Sequence, residues 1–160
     1  MAVDFFMKLD KIPGESADHK HGGEIDVLAW SWGLSNSGSG HVGGGSGSGK
    51  ASFQDLSFTK YIDKATTELM IAAAGGKHIP TALLTLRKAG EHPLEYLKVT
   101  MEDCLITSIS TGGSGGEDRL TENVTLNFAK VKVEYCEQKK DGTGAAAQTF
   151  GWDIKANKKS

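Results

Sequence analysis

The sequence predicts a mainly β fold of about seven or eight strands and one short α-helix, a small β-barrel or a two-sheet sandwich with the helix across one opening. Three features point there. Apolar residues alternate with polar ones in run after run, the period-2 signature of strands with one buried face. A single stretch, Thr66 to Ala74, is built of helix formers. Glycine supplies 21 of 160 residues, about twice the usual share, and gathers between the strand runs where the chain must turn.

Val3, Phe5, Met7 and Leu9 alternate with Asp4, Lys8 and Asp10, a first strand ended by Pro13-Gly14. Glu15 to Gly23 reads as a polar connection. From Glu24 the pattern resumes, with Leu28, Trp30, Trp32 and Leu34 expected on the core face and Ala29, Ser31 and Gly33 on the other. Residues 36–50 are glycine and serine, a flexible loop within a chain read as one domain spanning 1–160. A strand follows over Ala51 to Phe58. The helix comes next, with Thr66 as N-cap, Glu68 in the first turn and Gly75-Gly76 as the stop. Its buried stripe is expected to be Ile62, Leu69, Met70 and Ala73. Thr81 to Lys88 is a strand with Ala82, Leu84 and Leu86 on one face. Beyond the turn at Gly90-Glu91-His92, the residues Leu97, Val99, Met101, Leu105 and Ile109 keep one parity, interrupted by Asp103. Phe150, Trp152 and Ile154 form a last strand before a charged tail.

The stretch Thr111 to Tyr135 opens with Gly112, Gly113, Gly115 and Gly116, then Glu117, Asp118 and Arg119, then a long strand pattern. Val124, Leu126 and Phe128 share one parity; Val131, Val133 and Tyr135 share the other. A slip of one residue turns every later side chain over, so a bulge or bend is expected near Ala129 and Lys130, or a change of buried face. In the second case a barrel covers one face and a neighbouring subunit the other.

Net charge of -2 gives no bias toward nucleic acid or anionic membrane, and no apolar run reaches the roughly 20 residues of a membrane helix. The opening MAVDFFMKLDK lacks the features of a signal peptide, which predicts a chain made in the cytoplasm. Cys104 and Cys136 fall in strand patterns and are expected as free thiols. Gly44 to Ser52 matches the P-loop spacing by letter, but Ala51 stands at the metal-ligating hydroxyl and a strand pattern follows in place of the required helix. Gly38 to Gly43 matches GxGxxG without a βαβ unit around it. His19 and His21 with Glu24 resemble half a metal site lacking companion ligands. Glu117, Asp118 and Glu122 suggest paired carboxylates, but Arg119 between them favours a local charge network. Asn123-Val124-Thr125 is a glycosylation sequon lying in a strand. No nucleophile, base and orienting group stand together, so no catalytic residues, cofactor or metal are assigned.

Three stretches carry a resemblance: EIDVLAWSWG (24–33), QDLSFTKYID (54–63) and STGGSGGEDRLTENVTLNFAKV (110–131). With the opening AVDFFMKL they resemble the haemolysin-coregulated protein (Hcp) family, tube subunits of bacterial type VI secretion. The resemblance implies six-membered rings that stack into a hollow tube within a contractile sheath, tipped by a spike protein, with small effectors in the lumen. It implies export without a signal peptide, and no insertion in a membrane. On that reading Ser31, Thr125 and Asn127 are expected to line the lumen. Ser37, His41, Gly90, Glu91, His92, Lys155, Asn157 and Lys158 are expected at the ring–ring contact. Glu117, Asp118 and Arg119 are expected to order a loop or meet the next subunit. Two other readings stay open: a ring that carries effectors without building a tube, and a monomeric binding module displaying Trp30 and Trp32 as a surface platform.

Overall fold

The computed structural model of the chain describes residues 3–38, 50–90 and 93–160. The strands are β1 (Val3–Leu9), β2 (Ile25–Ser31), β3 (Leu34–Asn36), β4 (Ala51–Phe53), β5 (Leu56–Tyr61), β6 (His78–Lys88), β7 (Leu94–Thr111), β8 (Thr121–Asn127), β9 (Lys130–Tyr135), β10 (Gln148–Asp153) and β11 (Lys158–Lys159). One helix, α1 (Ala65–Gly75), joins β5 to β6. Pairing runs β1-β2-β5-β8-β7-β6 and back to β1, which closes a six-stranded antiparallel barrel. Strands β9, β10 and β11 extend from β7 outside the barrel, and β3–β4 is a separate hairpin.

The core is filled by the inward parity of the barrel strands: Met7 and Leu9, Ile25 and Val27, Leu56 and Phe58, Ala82, Leu84 and Leu86, Val99 and Met101, Val124 and Leu126. Three irregularities redirect the expected faces. On β2 the register shifts between Val27 and Ala29, so Leu28 is an extra residue left on the outside. Ile25 and Val27 therefore fill the core, while Trp30 and Trp32 lie half-buried against it and Leu34 is exposed. The expectation of Leu28, Trp30, Trp32 and Leu34 as one core face is corrected accordingly. On β7, Asp103 adopts φ 56° and shifts the parity, so Cys104 and Ile106 enter the core and Leu105 faces out.

The third irregularity lies between β8 and β9. Both pair with β7 along one edge, but β8 pairs with β5 on its other edge and β9 with β10. Ala129 sits at the break, its N–H donating to the Glu102 carbonyl (3.0 Å) and its carbonyl accepting from Ile154 N (2.8 Å). Phe128 and Val131 are buried in the same cluster on either side of it. The bend expected near Ala129 is present. The parity change is taken up by this bend, and Val131 is buried within the chain while Val133 is half-buried and Tyr135 exposed.

Helix α1 rests on β7 and buries Ala65, Thr66, Leu69 and Ala72. Ile62 and Met70, expected in the buried stripe, are exposed. Thr66 is not the N-cap. Lys64 holds that position, and Asp63 Oδ1 accepts from the Ala65 N–H at 2.9 Å. The Thr66 hydroxyl turns instead into a buried cluster: Lys60 Nζ reaches Glu122 Oε1 (2.5 Å), Asp63 Oδ1 (2.8 Å) and Thr66 Oγ1 (3.4 Å), and Thr66 Oγ1 donates to Glu122 Oε1 at 2.6 Å. Lys60 thus spends its three N–H donors on three acceptors, one from each of β8, the β5–α1 turn and the first helical turn. This pin sets the rotation of the helix. Gly76 closes the helix at φ 64° as the sequence predicts.

A polar sheet face as the candidate functional site

The outer surface of the barrel divides in two. Over β1, β6 and the start of β7 lies a strap, residues 13–24, which by sequence pattern is only a polar connection. It is tied by hydrogen bonds from Gly14 N to Gly23 O (2.8 Å), Gly23 N to Ser16 O (2.8 Å) and Ser16 N to Glu24 O (2.9 Å). Asp18 accepts from Arg87 Nη1 at 2.9 Å and Nη2 at 2.6 Å, and the Arg87 hydrogen bonds hold its carboxyl far below the usual carboxylate range. The Phe6 ring lies between the Arg87 guanidinium (5.0 Å) and the His21 ring (4.4 Å, interplanar 10°). His21 Nδ1 is 2.8 Å from Glu24 Oε2, and Nε2 is 2.7 Å from Glu95 Oε1. Burial works against the charged form of Glu95, but His21 and Lys98 outweigh it and lower its pKa. With both ring nitrogens engaged, His21 has none left for a metal, and His19 is exposed. Among the described residues no group of three or more His, Cys, Asp or Glu is arranged to hold one.

Among the described residues no segment lies over the other half of the surface. Residues directly opposite on antiparallel neighbours point to one side of the sheet. Ser31 opposes Ser57, Ser57 opposes Thr125, and Thr125 opposes Ser108, one row across β2, β5, β8 and β7. Ala29, Thr59, Asn123 and Ser110 form the next row in the same way. Thr59 Oγ1 donates to Asn123 Oδ1 at 2.6 Å. These eight positions hold no ionisable side chain, although 24% of the chain is charged. Asn127 stands one step beyond, its Nδ2 donating to Asp55 Oδ1 at 3.2 Å. The structure thus brings Ser31, Thr125 and Asn127 onto one face. Sequence reasoning missed Ser57, Thr107, Ser108 and Asp55. The alternation within β5 carried the signal for Ser57 and, just before the strand, Asp55, but the bulge between Ile106 and Ser108 hid Thr107 and Ser108.

The remaining expected residues scatter. Ser37 is exposed just past β3, and Lys155 and Asn157 (φ 53°) lie in the turn before β11, which Lys158 begins. The charged tail is therefore a hairpin arm. Gly90 is exposed near the start of β7, where Leu97 and Tyr135 pair and Tyr135 meets Gln148. The tail turn follows Asp153, at the opposite end of that ladder. His41, Glu91 and His92 lie outside the described residues, as does the 39–49 stretch that holds most of the two glycine motifs; β4 begins at Ala51, so a strand follows them. Glu117 and Asp118 are exposed and pair with no cation among the described residues. The expected carboxylate–Arg119 network is corrected: Glu122 is buried against Lys60, and the Arg119 guanidinium lies 3.7 Å from the centre of the Tyr61 ring. Trp30 and Trp32 are no exposed platform, and the Trp32 indole N–H donates to Gln54 O at 2.9 Å. Cys104 and Cys136 are free thiols. No helix among the described residues is long and apolar enough to cross a membrane.

Comparison with known proteins identifies the architecture. The family model for "Type VI secretion system effector, Hcp" matches residues 6–135. The chain belongs to the Hcp family of type VI secretion. Protein hcp1 of Pseudomonas aeruginosa is 60% identical over 159 residues, covering 98% of each chain. Hcp1 from Salmonella typhimurium has a solved structure with 42% identity and a TM-score of 0.82, with 100% of both chains covered. A structure described as a type six secretion system protein, 31% identical, reaches a TM-score of 0.93 over 99% of this chain and 100% of its own. The Hcp match takes in β1 from Phe6 on, the strap and every element from β2 to β9, so the polar face belongs to the part that the family defines.

Proposed function

We propose that this Hcp-family chain forms a six-membered ring, that its rings stack into the inner tube of a type VI secretion machine, and that the polar face of β2, β5, β8 and β7 lines the lumen. The role is structural and transporting, with no catalytic step. The observation that carries the reading is the run of eight uncharged, small or short polar side chains in register on one uncovered sheet face. A solvated barrel surface ordinarily mixes charges of both signs. A bore that must pass or hold protein cargo gains from short side chains, which keep it wide, and from hydroxyls, which bond to many partners.

Ser31, Thr125 and Asn127 are the cargo contacts on this reading. Ser37, His41, Gly90, Glu91, His92, Lys155, Asn157 and Lys158 serve ring–ring stacking, where an opposite-charge pair such as Glu91 with a tail lysine contributes about 0–1 kcal/mol and is repeated around the ring. The separation of Gly90 from the tail turn supports this, because two stacked rings meet through opposite ends of the subunit. Glu117, Asp118 and Arg119 order the β7–β8 loop or meet the adjacent subunit. Sheath, spike and small effector proteins are the partners, met after assembly in the cytoplasm and export with the tube.

Native mass measurement and negative-stain imaging test the proposal together. Six-fold annular particles that stack are the expected result. A lone barrel at high concentration would refute it, and rings that never stack would leave only a carrier. Replacing Ser31 by a bulky charged residue is expected to keep the ring and lower cargo retention; loss of the ring would place Ser31 in the subunit contact.

A further inference from the structure

One ionised side chain is wired into the hydroxyl face. Asp55 Oδ2 accepts from Thr107 Oγ1 at 2.8 Å, and Oδ1 accepts from Asn127 Nδ2 at 3.2 Å. Thr107 Oγ1 also lies 2.7 Å from Thr125 Oγ1, which lies 2.6 Å from Ser108 Oγ. An ionised carboxylate only accepts, and a hydroxyl has one hydrogen to give. Thr107 gives its hydrogen to Asp55, so it accepts from Thr125, which in turn accepts from Ser108. Three hydroxyl dipoles therefore point one way along the row, toward the carboxylate. These donors are all neutral. No Lys, Arg or His pairs with Asp55 among the described residues, so its negative charge is fixed in place but not cancelled. The Arg119 guanidinium on this face lies over Tyr61, at the far end of β5. Five residues of strand separate Asp55's neighbour Leu56 from Tyr61, about 17 Å, beyond the screening length of about 8 Å in physiological salt.

We propose that Asp55 is the specificity-determining residue of this face, favouring cargo that presents a basic segment and disfavouring acidic cargo. The inference rests on the lumen reading above, under which six copies of the carboxylate form a collar around the bore. Thr107 and Asn127 are its positioning residues. Selection works through charge complementarity at the rim of a surface that is otherwise neutral.

The test uses the full chain, with Asp55→Asn and Asp55→Lys variants of unchanged unfolding midpoint. The probes are fluorescein-labelled oligolysine and oligoglutamate peptides of equal length, followed by anisotropy at low and high salt, with native mass recorded on each sample. The wild-type chain is expected to bind oligolysine in preference to oligoglutamate. Asp55→Asn lowers oligolysine affinity by about threefold or more and flattens its salt dependence, and Asp55→Lys reverses the preference. An unchanged preference in both variants on intact rings overturns the inference and leaves the lumen reading standing. A shifted preference on particles that are not rings keeps Asp55 as the selector and removes the lumen. Rings lost specifically on Asp55→Asn would make Asp55 a subunit contact and overturn the inference.

Discussion

Lys60 Nζ lies 2.5 Å from Glu122 Oε1, and neither side chain is open to solvent. The pair joins two adjacent barrel strands, and Thr66 and Asp63 extend it to the start of the helix. Taking two charges out of water is costly, and the pair offsets that cost only while both partners remain.

Lys60→Met alone is therefore expected to destabilise the chain by about 3–5 kcal/mol, because it leaves the buried Glu122 carboxylate without a cation, and Glu122→Leu alone by less, because Asp63 still pairs with Lys60. The double variant recovers most of that loss. Urea midpoints of the four proteins at one fixed concentration measure the coupling. Additive losses in the double variant would show that the two side chains do not act as a pair.

The strap should loosen in acid. Asp18 has a folded-state pKa well below its unfolded value, through its hydrogen bonds to Arg87. Its contribution is complete above the unfolded pKa of about 4 and shrinks as pH falls from there toward the folded value. Wild type is expected to exceed Asp18→Asn in stability most at neutral pH, with the gap narrowing below about pH 4. Unfolding midpoints of both proteins between neutral pH and about pH 3 check the sign. A gap that widens in acid would contradict it.

Thiol reactivity separates the two cysteines. Burial, with the charges of Asp103 and Glu102 adding to it, pushes the Cys104 thiol up to about 12. Cys136 is only partly buried. Iodoacetamide at mildly alkaline pH is expected to modify Cys136 in the folded chain and Cys104 only after unfolding, read by peptide mass mapping. Labelling of native Cys104 would mean that β7 opens near Asp103.

Two glycines give contrasting expectations. A Cβ on Gly14 would stand 2.6 Å from the Glu24 carbonyl oxygen and 2.7 Å from Ile25 Cα, both backbone atoms. Gly14→Ala is expected to cost about 1–3 kcal/mol by forcing the strap off the barrel. Nothing lies within 4 Å of the same atom on Gly115. Gly115→Ala should fall within about 0.5 kcal/mol of wild type. Thermal unfolding of both variants provides the comparison.

Sequence periodicity found nearly every strand because each barrel strand buries one face against a single core. It found β6 best, where Ala82, Leu84 and Leu86 hold one parity without interruption. It misplaced faces wherever one residue was added. Leu28 and Leu105 are strongly apolar and sit in step with their neighbours by letter, yet both face outward beyond an irregularity that no local pattern announces. The strap was illegible for another reason. Phe6, His21 and Arg87 are brought together by pairing β1 with β6, and nothing in a stretch of polar letters foretells partners 69 residues away. The polar face was legible only at Ser31, Thr125 and Asn127. The row itself exists only once four strands are in register.

Strand β7 runs unbroken from Leu94 to Thr111, bonded to β6 along one edge and to β9 and then β8 along the other. The flap of β9, β10 and β11 is thus cantilevered from the same ribbon that carries Ser108 and Ser110 on the uncovered face. Under the proposed ring, the Lys155–Lys158 arm and the polar row would therefore share one strand, so a shift of the arm would be expected to reach the barrel wall through β7.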